Sequence, residues 1–393
     1  MSRNLKLLSP FKLGSLKLPN RMLLAPMTRC RAGVGNIIEQ ISTVYYGQRA
    51  SAGLIITEAT QISPQGAGYP NVPGIHTLQQ VNSWKQVTKA VHAKGGHIFL
   101  QLWHAGRASH PLLQPDRELP IGPSAIKAEG TVVTPEGEKP FPTPRALKME
   151  EIPEIVEQFR QGAKNALTAE FDGVEIHSAN GYLLDQFLQD NSNQRTDKYG
   201  GSVENRARLL LQVTEAVVSV WGPNRVGVRL SPSSTYKDMH DSNPINTFGY
   251  VVDALNRFDL AYLHIIEPRI KGNETTDDEG QGLGVRYFRP IFKGSLIAAG
   301  GYTRETGEAI LAEGLADLVA YGRLFLANPD LPKRFALNTP LNKYDRSTFY
   351  TSGERGYIDY PTLEELQQNQ LPLVGKYVMR QPQVESIKTN QLF

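Results

Sequence analysis

The sequence predicts a single α/β domain folded as an eight-stranded parallel (β/α)8 barrel. Eight short β-branched apolar runs recur along the 393-residue chain, and stretches with helical periodicity separate most of them. The composition is typical of a globular protein, because 40% of the residues are hydrophobic, 21% are charged, and the 35 glycines and 26 prolines are spread along the chain. Barrels of this kind often exceed about 200 residues, so the length indicates one large domain with insertions.

The predicted elements follow one another in a regular order. Residues 9–20 alternate around Gly14 and predict a hairpin that caps the barrel floor ahead of the first strand. Amphipathic stretches such as 77–95 and 150–170 predict helices between strands. The eight strands are predicted at 21–27, 53–60, 97–103, 172–178, 225–231, 261–266, 295–300 and 317–322.

Two segments depart from this order. Residues 104–148 contain eight prolines and are too long for an ordinary connection, so they predict a functional excursion after the third strand, above the barrel. Residues 379–393 are polar and aperiodic and predict a C-terminal tail, which leaves residues 1–378 as the barrel domain.

Charge and cysteine content exclude several classes of function. The formal net charge of +3 is small, and lysines and arginines are scattered among acids, so we expect neither a nucleic-acid partner nor a membrane partner. A single cysteine, Cys30, excludes an intrachain disulfide and a thiolate metal cluster built from one chain. Redox chemistry would therefore need an organic cofactor. Without an apolar run of about 20 residues or a secretory leader, we expect a cytoplasmic protein.

Residue types change abruptly where the predicted strands end. Because the carboxyl ends of parallel barrel strands meet at one rim, polar residues and glycines at these positions predict a lined pocket. These residues are Pro26, Met27 and Thr28, then Glu58 to Thr60, Gln101 and Trp103, His177 and Asn180, Arg229, Gly300 and Gly301, and Gly322 and Arg323.

The ends of the last two strands predict a phosphate site. Glycine N–H groups at 300, 301 and 322 can approach phosphate oxygens closely, and Arg323 can add a charge-assisted contact. Isomerases, aldolases and flavoproteins that share this fold all use such a site. The pattern by itself therefore leaves the reaction open.

Several longer motifs make the pattern more specific. The strings "LAPMTRCR", "QLWHAGR", "DGVEIHSANGYLLDQFL" and "NQRTDKYGGSVENRARLLL" resemble the old yellow enzyme family of FMN-dependent ene-reductases, and most closely its members similar to 12-oxophytodienoate reductase. The resemblance covers residues 5–365. It implies bound FMN, NADPH or NADH as the hydride donor, and reduction of enones, enals and nitroalkenes. Longer relatives with an iron–sulfur cluster are excluded by the single cysteine.

The resemblance also implies roles for individual residues. Arg229 matches a cation that stabilises the reduced anionic flavin ring, and Thr28 and Gln101 match residues that hydrogen-bond the polar edge of the flavin. Thr28 stands where some relatives carry a cysteine. The other residues implied to bind the cofactor are Pro26, Met27, Ala59, His177, Gly300, Gly301, Gly322, Arg323 and Tyr350.

The resemblance also implies that the end of the fourth strand and the residues just after it form the substrate side of the pocket. His177 and Asn180 match a pair that holds the carbonyl oxygen, where charge develops when hydride reaches the β-carbon. Tyr182 matches the phenol that then protonates the α-carbon. Tyr350 matches an aromatic over the same pocket, whereas Trp103 and Tyr69 either line the substrate side or simply pack. No metal site is expected, and His104 and His110 are interpreted as ordinary loop residues.

Two alternatives come from other classes. A cofactor-free lyase or isomerase could act on a phosphorylated substrate in the same barrel, but such enzymes usually need a Schiff-base lysine or a carboxylate cluster, and no lysine ends a predicted strand. A non-catalytic binding barrel is the third possibility, and Tyr182 argues against it. Both a monomer and a homodimer fit the sequence.

Overall fold

The structure, a computed structural model, describes residues 5–272, 274–276 and 282–370. Eight parallel strands form a closed barrel in which each strand pairs with the next along the chain and the eighth pairs with the first. This confirms the predicted (β/α)8 barrel. The strands are β1 Met22–Leu24, β2 Leu54–Gln61, β3 Ile98–Trp103, β4 Gly173–Ser178, β5 Val226–Leu230, β6 Tyr262–Ile266, β7 Leu296–Ala299 and β8 Leu318–Tyr321.

Helices surround the barrel and connect its strands. In the described part of the chain they are α1 Gln40–Gln48, α2 Leu78–His92, α3 Ile152–Thr168, α4 Leu183–Leu188, α5 Val203–Trp221, α6 Pro244–Leu255, α7 Val285–Phe288, α8 Arg304–Ala312, α9 Arg323–Ala327, α10 Leu331–Leu337 and α11 Leu363–Gln370. In that part no helix is both long and apolar enough to traverse a lipid bilayer.

Local sequence signals explain where several elements begin and end. Helix α2 starts after Thr77, whose hydroxyl accepts a hydrogen bond from the backbone N–H of Gln80, while Gln80 Oε1 accepts one from the Thr77 N–H. Strand β1 stops at Leu24, shorter than predicted, and Pro26 just beyond it lacks the N–H that a strand ladder needs.

The core has two layers because strand side chains alternate between the inside and the outside of the barrel. Leu54 and Ile56 of β2 point inside, where they pack with Phe99 and Tyr262. The intervening Ile55 points outwards into the apolar layer beneath the helices. The apolar side chains of both layers are buried, and this burial is the main stabilising contribution to the barrel.

The predicted N-terminal hairpin is present and closes the floor of the barrel. Phe11–Leu13 pairs antiparallel with Leu16–Leu18, and Leu13 and Leu18 pack into the inner layer of the core. Gly14 makes the turn with a φ of 56°, and a Cβ there would lie 2.3 Å from the Asn224 carbonyl oxygen. Only glycine fits this turn without strain.

The excursion after β3 covers the opposite end, at the carboxyl rim. It contains an antiparallel pair, Thr131–Thr134 with Gly137–Pro140, and a parallel pair, Ile121–Gly122 with Arg145–Ala146. The buried Arg107 ties its start to the loop after β5, since its Nη2 donates to the Asp238 carbonyl at 3.0 Å. The predicted excursion is therefore an ordered cover over the rim.

The end of the described chain also returns to this rim. Arg31 donates from Nη2 to the carbonyls of Thr348 and Arg355, at 3.1 and 2.9 Å. The Tyr45 and Tyr357 rings stack with centroids 4.1 Å apart. These contacts hold the segment around Tyr350 beside the strand ends. The predicted tail, residues 379–393, lies outside the described residues.

Candidate active site

A cavity of about 750 Å³ opens at the carboxyl ends of the strands. It is lined by the predicted cofactor- and substrate-binding residues with the exception of Trp103, whereas the predicted rim residues Glu58 and Thr60 are buried outside its lining. Trp103 is fully buried behind the wall, where its ring stacks on Tyr69 and meets Tyr182 edge to face at 5.1 Å. The structure therefore places Trp103 in a packing position and Tyr69 at the cavity surface. The lining members of the predicted set are Pro26, Met27, Thr28, Ala59, Tyr69, Gln101, His177, Asn180, Tyr182, Arg229, Gly300, Gly301, Gly322, Arg323 and Tyr350.

The end of β4 and the turn after it present His177 and Asn180 to the cavity. Asn180 has a φ of 57°, and its backbone N–H donates to Ser231 Oγ at 2.7 Å. The next N–H, of Gly181, donates to the Asp185 carboxylate at 2.8 Å. The buried atoms His177 Nδ1 and Asn180 Oδ1 have no hydrogen-bond partner within the described chain. Buried polar atoms normally find partners, so this pair is free to bind a ligand.

Burial lowers the pKa of His177 well below its usual value, and the nearby cations Arg229 and Lys237 lower it further. The imidazole is therefore neutral at physiological pH. A neutral ring carries one N–H, so His177 can donate one hydrogen bond without adding charge to the cavity.

Tyr182 completes this side of the cavity. It immediately precedes α4, its side chain is 6% exposed, and its hydroxyl donates to that of Tyr69 across 3.4 Å. Its ring lies edge to face against His177, with centroids 4.9 Å apart. Burial raises the pKa of the Tyr182 phenol well above 10. The hydroxyl is thus protonated and next to the proposed oxygen site.

A buried network of polar groups centres on Glu175, which precedes His177 by two positions on β4. The carboxylate of Glu175, which has no solvent exposure, accepts a hydrogen bond from Gln101 Nε2 at 2.7 Å and one from His264 Nδ1 at 2.8 Å. Strand pairing sets Arg229 beside both His177 and His264. Burial alone would raise the pKa of Glu175, but His264 and Arg229 lower it below its usual value. The carboxylate is therefore ionised and paired.

Neither Glu175 nor His264 was predicted as a site residue. The signal available in the sequence is an ionisable residue in the middle of a β-branched run, in "GVEIHS" and in "YLHII". Such a residue has to be paired or hydrogen-bonded when the strand is buried. The Nε atom of Arg229 is buried without a hydrogen-bond partner in the described chain, and this side chain lines the cavity.

An irregularity in β2 brings Ala59 to the cavity. The pairing of β2 with β3 shifts register between Ile56 and Ala59. Thr57 Oγ1 accepts the Gln101 N–H at 3.0 Å within this irregular stretch. Such a bulge changes the direction of the side chains that follow it. The alternation of the sequence gives no sign of it.

The ends of β7 and β8 form a different kind of surface. Gly300 and Gly301 have φ angles of 145° and 63°, which side-chain-bearing residues rarely adopt. A Cβ on Gly300 would lie 2.8 Å from that of Glu267. Arg323 begins α9 and donates to Thr275 Oγ1. Tyr350, 53% exposed, stands at the edge of the same cavity.

The remaining histidines and the cysteine are not grouped into a metal site. Across residues 5–272, 274–276 and 282–370, no group of three or more His, Cys, Asp or Glu is arranged to hold a metal ion. Burial raises the pKa of Cys30 to about 12, so its thiol stays protonated and unreactive. His104 is buried, and burial lowers its pKa to about 3.

Comparison with known proteins identifies the family. Residues 6–342 match the family described as "NADH:flavin oxidoreductase / NADH oxidase". The chain belongs to this family. It is 50% identical over 363 residues to 12-oxophytodienoate reductase 1 of Oryza sativa subsp. japonica, covering 92% of this chain and 94% of the relative. It is 48% identical over 370 residues to 12-oxophytodienoate reductase 2 of Arabidopsis thaliana, covering 92% and 97%.

Solved structures of this flavin oxidoreductase family agree with the fold. Morphinone reductase superposes with a TM-score of 0.87 at 50% identity, over 92% of this chain and 98% of its own. The old yellow enzyme homologue from Zymomonas mobilis gives a TM-score of 0.86 at 44% identity, over 90% and 99%. Morphinone reductase has also been solved in complex with tetrahydroNAD. The resemblance to old yellow enzymes is thereby confirmed.

The chain is therefore an FMN oxidoreductase that takes its hydride from a nicotinamide coenzyme. The cavity fits the flavin on its own evidence. Its volume lies in the range typical of cofactor sites, about 300–1,000 Å³. The unpartnered Arg229 Nε, the neutral His177 and the glycine surface at 300 and 301 provide polar contacts for a planar, phosphorylated ligand. The cofactor-free lyase or isomerase alternative is not supported.

Proposed function

We propose that this oxidoreductase reduces the C=C bond of α,β-unsaturated carbonyl compounds and related activated alkenes, including enones, enals and nitroalkenes. One observation supports this most directly: His177 at the end of β4, Asn180 in the next turn and the protonated Tyr182 line one cavity. Two groups suited to hold an oxygen and one suited to give a proton are the set that reduction of an activated alkene needs.

We propose that the cofactor is held along the whole rim. Thr28, Gln101 and Arg229 would hold the polar edge of the ring, and Arg229 would favour the reduced anionic form because it adds a nearby positive charge. The glycines at 300, 301 and 322 and Arg323 would hold the phosphate through backbone N–H groups and one cation. Pro26, Met27, Ala59 and Tyr350 would pack against the remaining surface. When bound, FMN supplies the hydride that reaches the β-carbon of the substrate.

His177 and Asn180 would bind the substrate oxygen. Hydride addition at the β-carbon moves negative charge onto this oxygen, so donors aimed at it bind the transition state more tightly than the substrate. The neutral state of His177 supports this role, because an N–H donor of this kind needs no counter-ion in the cavity. Tyr69 would line the substrate side beside Tyr182.

Tyr182 would complete the reaction by proton transfer. Its O–H bond breaks as a C–H bond forms at the α-carbon, which leaves a phenolate on Tyr182 and a saturated product. The raised pKa of the phenol supports this order of events, since the group keeps its proton until charge develops on the substrate.

Tyr182→Phe tests this assignment. Reoxidation of the reduced enzyme by cyclohexenone should slow by roughly 10²- to 10⁴-fold, the usual contribution of a positioned general acid. Reduction by NADPH or NADH should be nearly unchanged, because no proton is needed from that side. Nitroalkene reoxidation should also be nearly unchanged, since the product can leave as a stabilised nitronate. Stopped-flow absorbance follows all three steps, and equal slowing of enone and nitroalkene would contradict the proton-donor role.

Several broader features remain proposals based on the sequence. They are NADPH or NADH as the physiological donor, a cytoplasmic location, a monomer or homodimer, and a division into a barrel domain at 1–378 and a tail at 379–393. Rates of flavin reduction by the two coenzymes under anaerobic conditions would settle the first of these.

A further inference from the structure

A buried lysine that the proposed reaction does not yet use lies beside Tyr182. Lys237 is in the loop between β5 and α6, and its side chain is 9% exposed. Its Nζ atom is buried without a hydrogen-bond partner in the described chain. Burial lowers the pKa of Lys237 well below its usual value, and the nearby Asp185 opposes that shift. Because an unpaired buried ammonium is costly, the charged form of Lys237 depends on neighbouring groups that attract a cation.

Three tyrosine rings surround this ammonium. Nζ lies 3.7 Å from the ring centroid of Tyr182, 4.3 Å from that of Tyr236 and 5.5 Å from that of Tyr69. The negative faces of aromatic rings attract cations at such distances, and this attraction strengthens when water is absent. The closest ring is the one that the proposed reaction turns into a phenolate.

The chain holds Lys237 in this position by unusual backbone geometry. Lys237 and Asp238 have φ angles of 60° and 58°, in the left-handed region that residues with a Cβ rarely adopt. Arg107 fixes both residues, since its Nη2 donates to their carbonyls at 3.4 and 3.0 Å. A Cβ on Gly181 would come within 2.9 Å of Lys237 Cβ, so glycine is what allows this loop to approach Tyr182.

We propose that Lys237 is a positioning residue for the protonation step, and that its ammonium stabilises the phenolate left on Tyr182 when the proton moves to the α-carbon. This rests on the proposed role of Tyr182. In the step, the O–H bond of Tyr182 breaks, the C–H bond forms, and the negative charge appears on a ring whose face already contacts the ammonium. The resulting phenolate regains its proton from solvent, so Lys237 itself gains and loses no atoms.

The charge of Lys237 should therefore affect only the rate of the step in which Tyr182 gives up a proton. An opposite charge within about 4–6 Å commonly shifts a pKa by about 1–3 units, and part of that shift is felt in the transition state. For Lys237→Met we expect reoxidation by cyclohexenone to slow by about 10- to 100-fold. Reoxidation by a nitroalkene and reduction by the nicotinamide coenzyme should each change by less than about twofold, since neither step draws on the Tyr182 proton.

A double-mutant cycle decides whether Lys237 acts through Tyr182. The holoenzymes compared are wild type, Lys237→Met, Tyr182→Phe and the double variant. Since Tyr182→Phe already removes the phenolate, the double variant should reoxidise with cyclohexenone at the rate of Tyr182→Phe within about twofold. Lys237→Arg should recover much of the enone rate because it keeps the charge. Equal slowing with enone and nitroalkene, or an additive loss in the double variant, would show a packing role and overturn the proposal.

Two controls keep the test decisive. Lys198→Met removes another lysine that lies over a tyrosine ring, at 5.4 Å from the centroid of Tyr199, and it should leave the ratio of enone to nitroalkene rates unchanged. Should Lys237→Met fail to retain flavin, Lys237→Gln replaces it in the same cycle. If Tyr182→Phe slows enone reoxidation but removing the Lys237 charge does not, only the Lys237 proposal fails. If Tyr182→Phe has no effect, the proposed role of Tyr182 fails first.

Discussion

The two ends of the cavity are built in different ways. At the end formed by β3 to β6, Glu175, His264 and Arg229 are buried side chains whose charges and hydrogen bonds are arranged before any ligand binds. At the end formed by β7 and β8, the surface is mostly glycine backbone, and Arg323 is partly exposed. In the proposed function, chemistry at the first end depends on individual side chains, whereas phosphate binding at the second is spread over backbone N–H groups. Substitutions should therefore have unequal effects at the two ends.

The largest effect is expected at the oxygen site. His177→Ala combined with Asn180→Ala should raise the Kd for a phenol that stacks on the flavin by about 100-fold or more, because two hydrogen bonds to a charged oxygen are lost at about 1.5–3 kcal/mol each. The long-wavelength charge-transfer band of the complex reports this binding. A band that develops at unchanged phenol concentrations would mean that these two residues do not hold the oxygen.

A substitution of Arg229 tests the role of the buried charges at the end formed by β3 to β6. Arg229→Met should weaken FMN binding by about 10- to 100-fold, as expected for loss of a charge-assisted contact. It should also lower the flavin potential, because the cation stabilises the reduced ring more than the oxidised one. Potentiometric titration measures the second effect. A potential equal to that of wild type would show that Arg229 does not face the charged edge of the ring.

Acid should lower the free energy of unfolding through the buried His104. Burial lowers its folded-state pKa to about 3, against an ordinary value of 6.5, so the neutral ring is preferred in the fold. Above pH 6.5 His104 is neutral in both the folded and the unfolded chain. As pH falls below 6.5, the unfolded chain binds a proton that the folded chain does not, so the free energy of unfolding decreases. At pH 5 the loss is about 2 kcal/mol relative to pH 7. Denaturant unfolding of His104→Asn should show a flatter pH dependence, whereas His240→Gln, at an exposed position, should follow the wild type.

The smallest effect is expected at the phosphate end. Arg323→Met should weaken FMN binding by about fivefold or less, since an exposed ion pair contributes roughly 0–1 kcal/mol and the glycine N–H groups remain. Equilibrium titration of the apoprotein with FMN at several salt concentrations measures this. A loss as large as that of Arg229→Met would mean that the Arg323 side chain, rather than the backbone, carries the phosphate.

Motifs and periodicity were sufficient to predict the barrel and most of the residues that line the cavity at its rim. The eight predicted strands overlap β1 to β8, because a β-branched run that is buried on both faces has few other stable conformations. The assignment of the glycines at 300, 301 and 322 to a phosphate site stays a prediction, which rests on the place of such sites after the last two strands of this fold. His177, Asn180 and Tyr182 lie within six residues at one strand end, so the sequence alone places them near one another.

Only the tertiary structure showed which residues from distant parts of the sequence lie beside the predicted site residues. Glu175 and His264 are 89 positions apart, and Lys237 is 55 positions from Tyr182, so no local pattern joins either pair. Trp103 also could not be assigned from its strand end, because its ring direction depends on contacts with Tyr69 and Tyr182. Local sequence sets which residues share a strand or a turn. Strand register and the paths of the loops set which charges meet, since these follow from packing of the whole barrel.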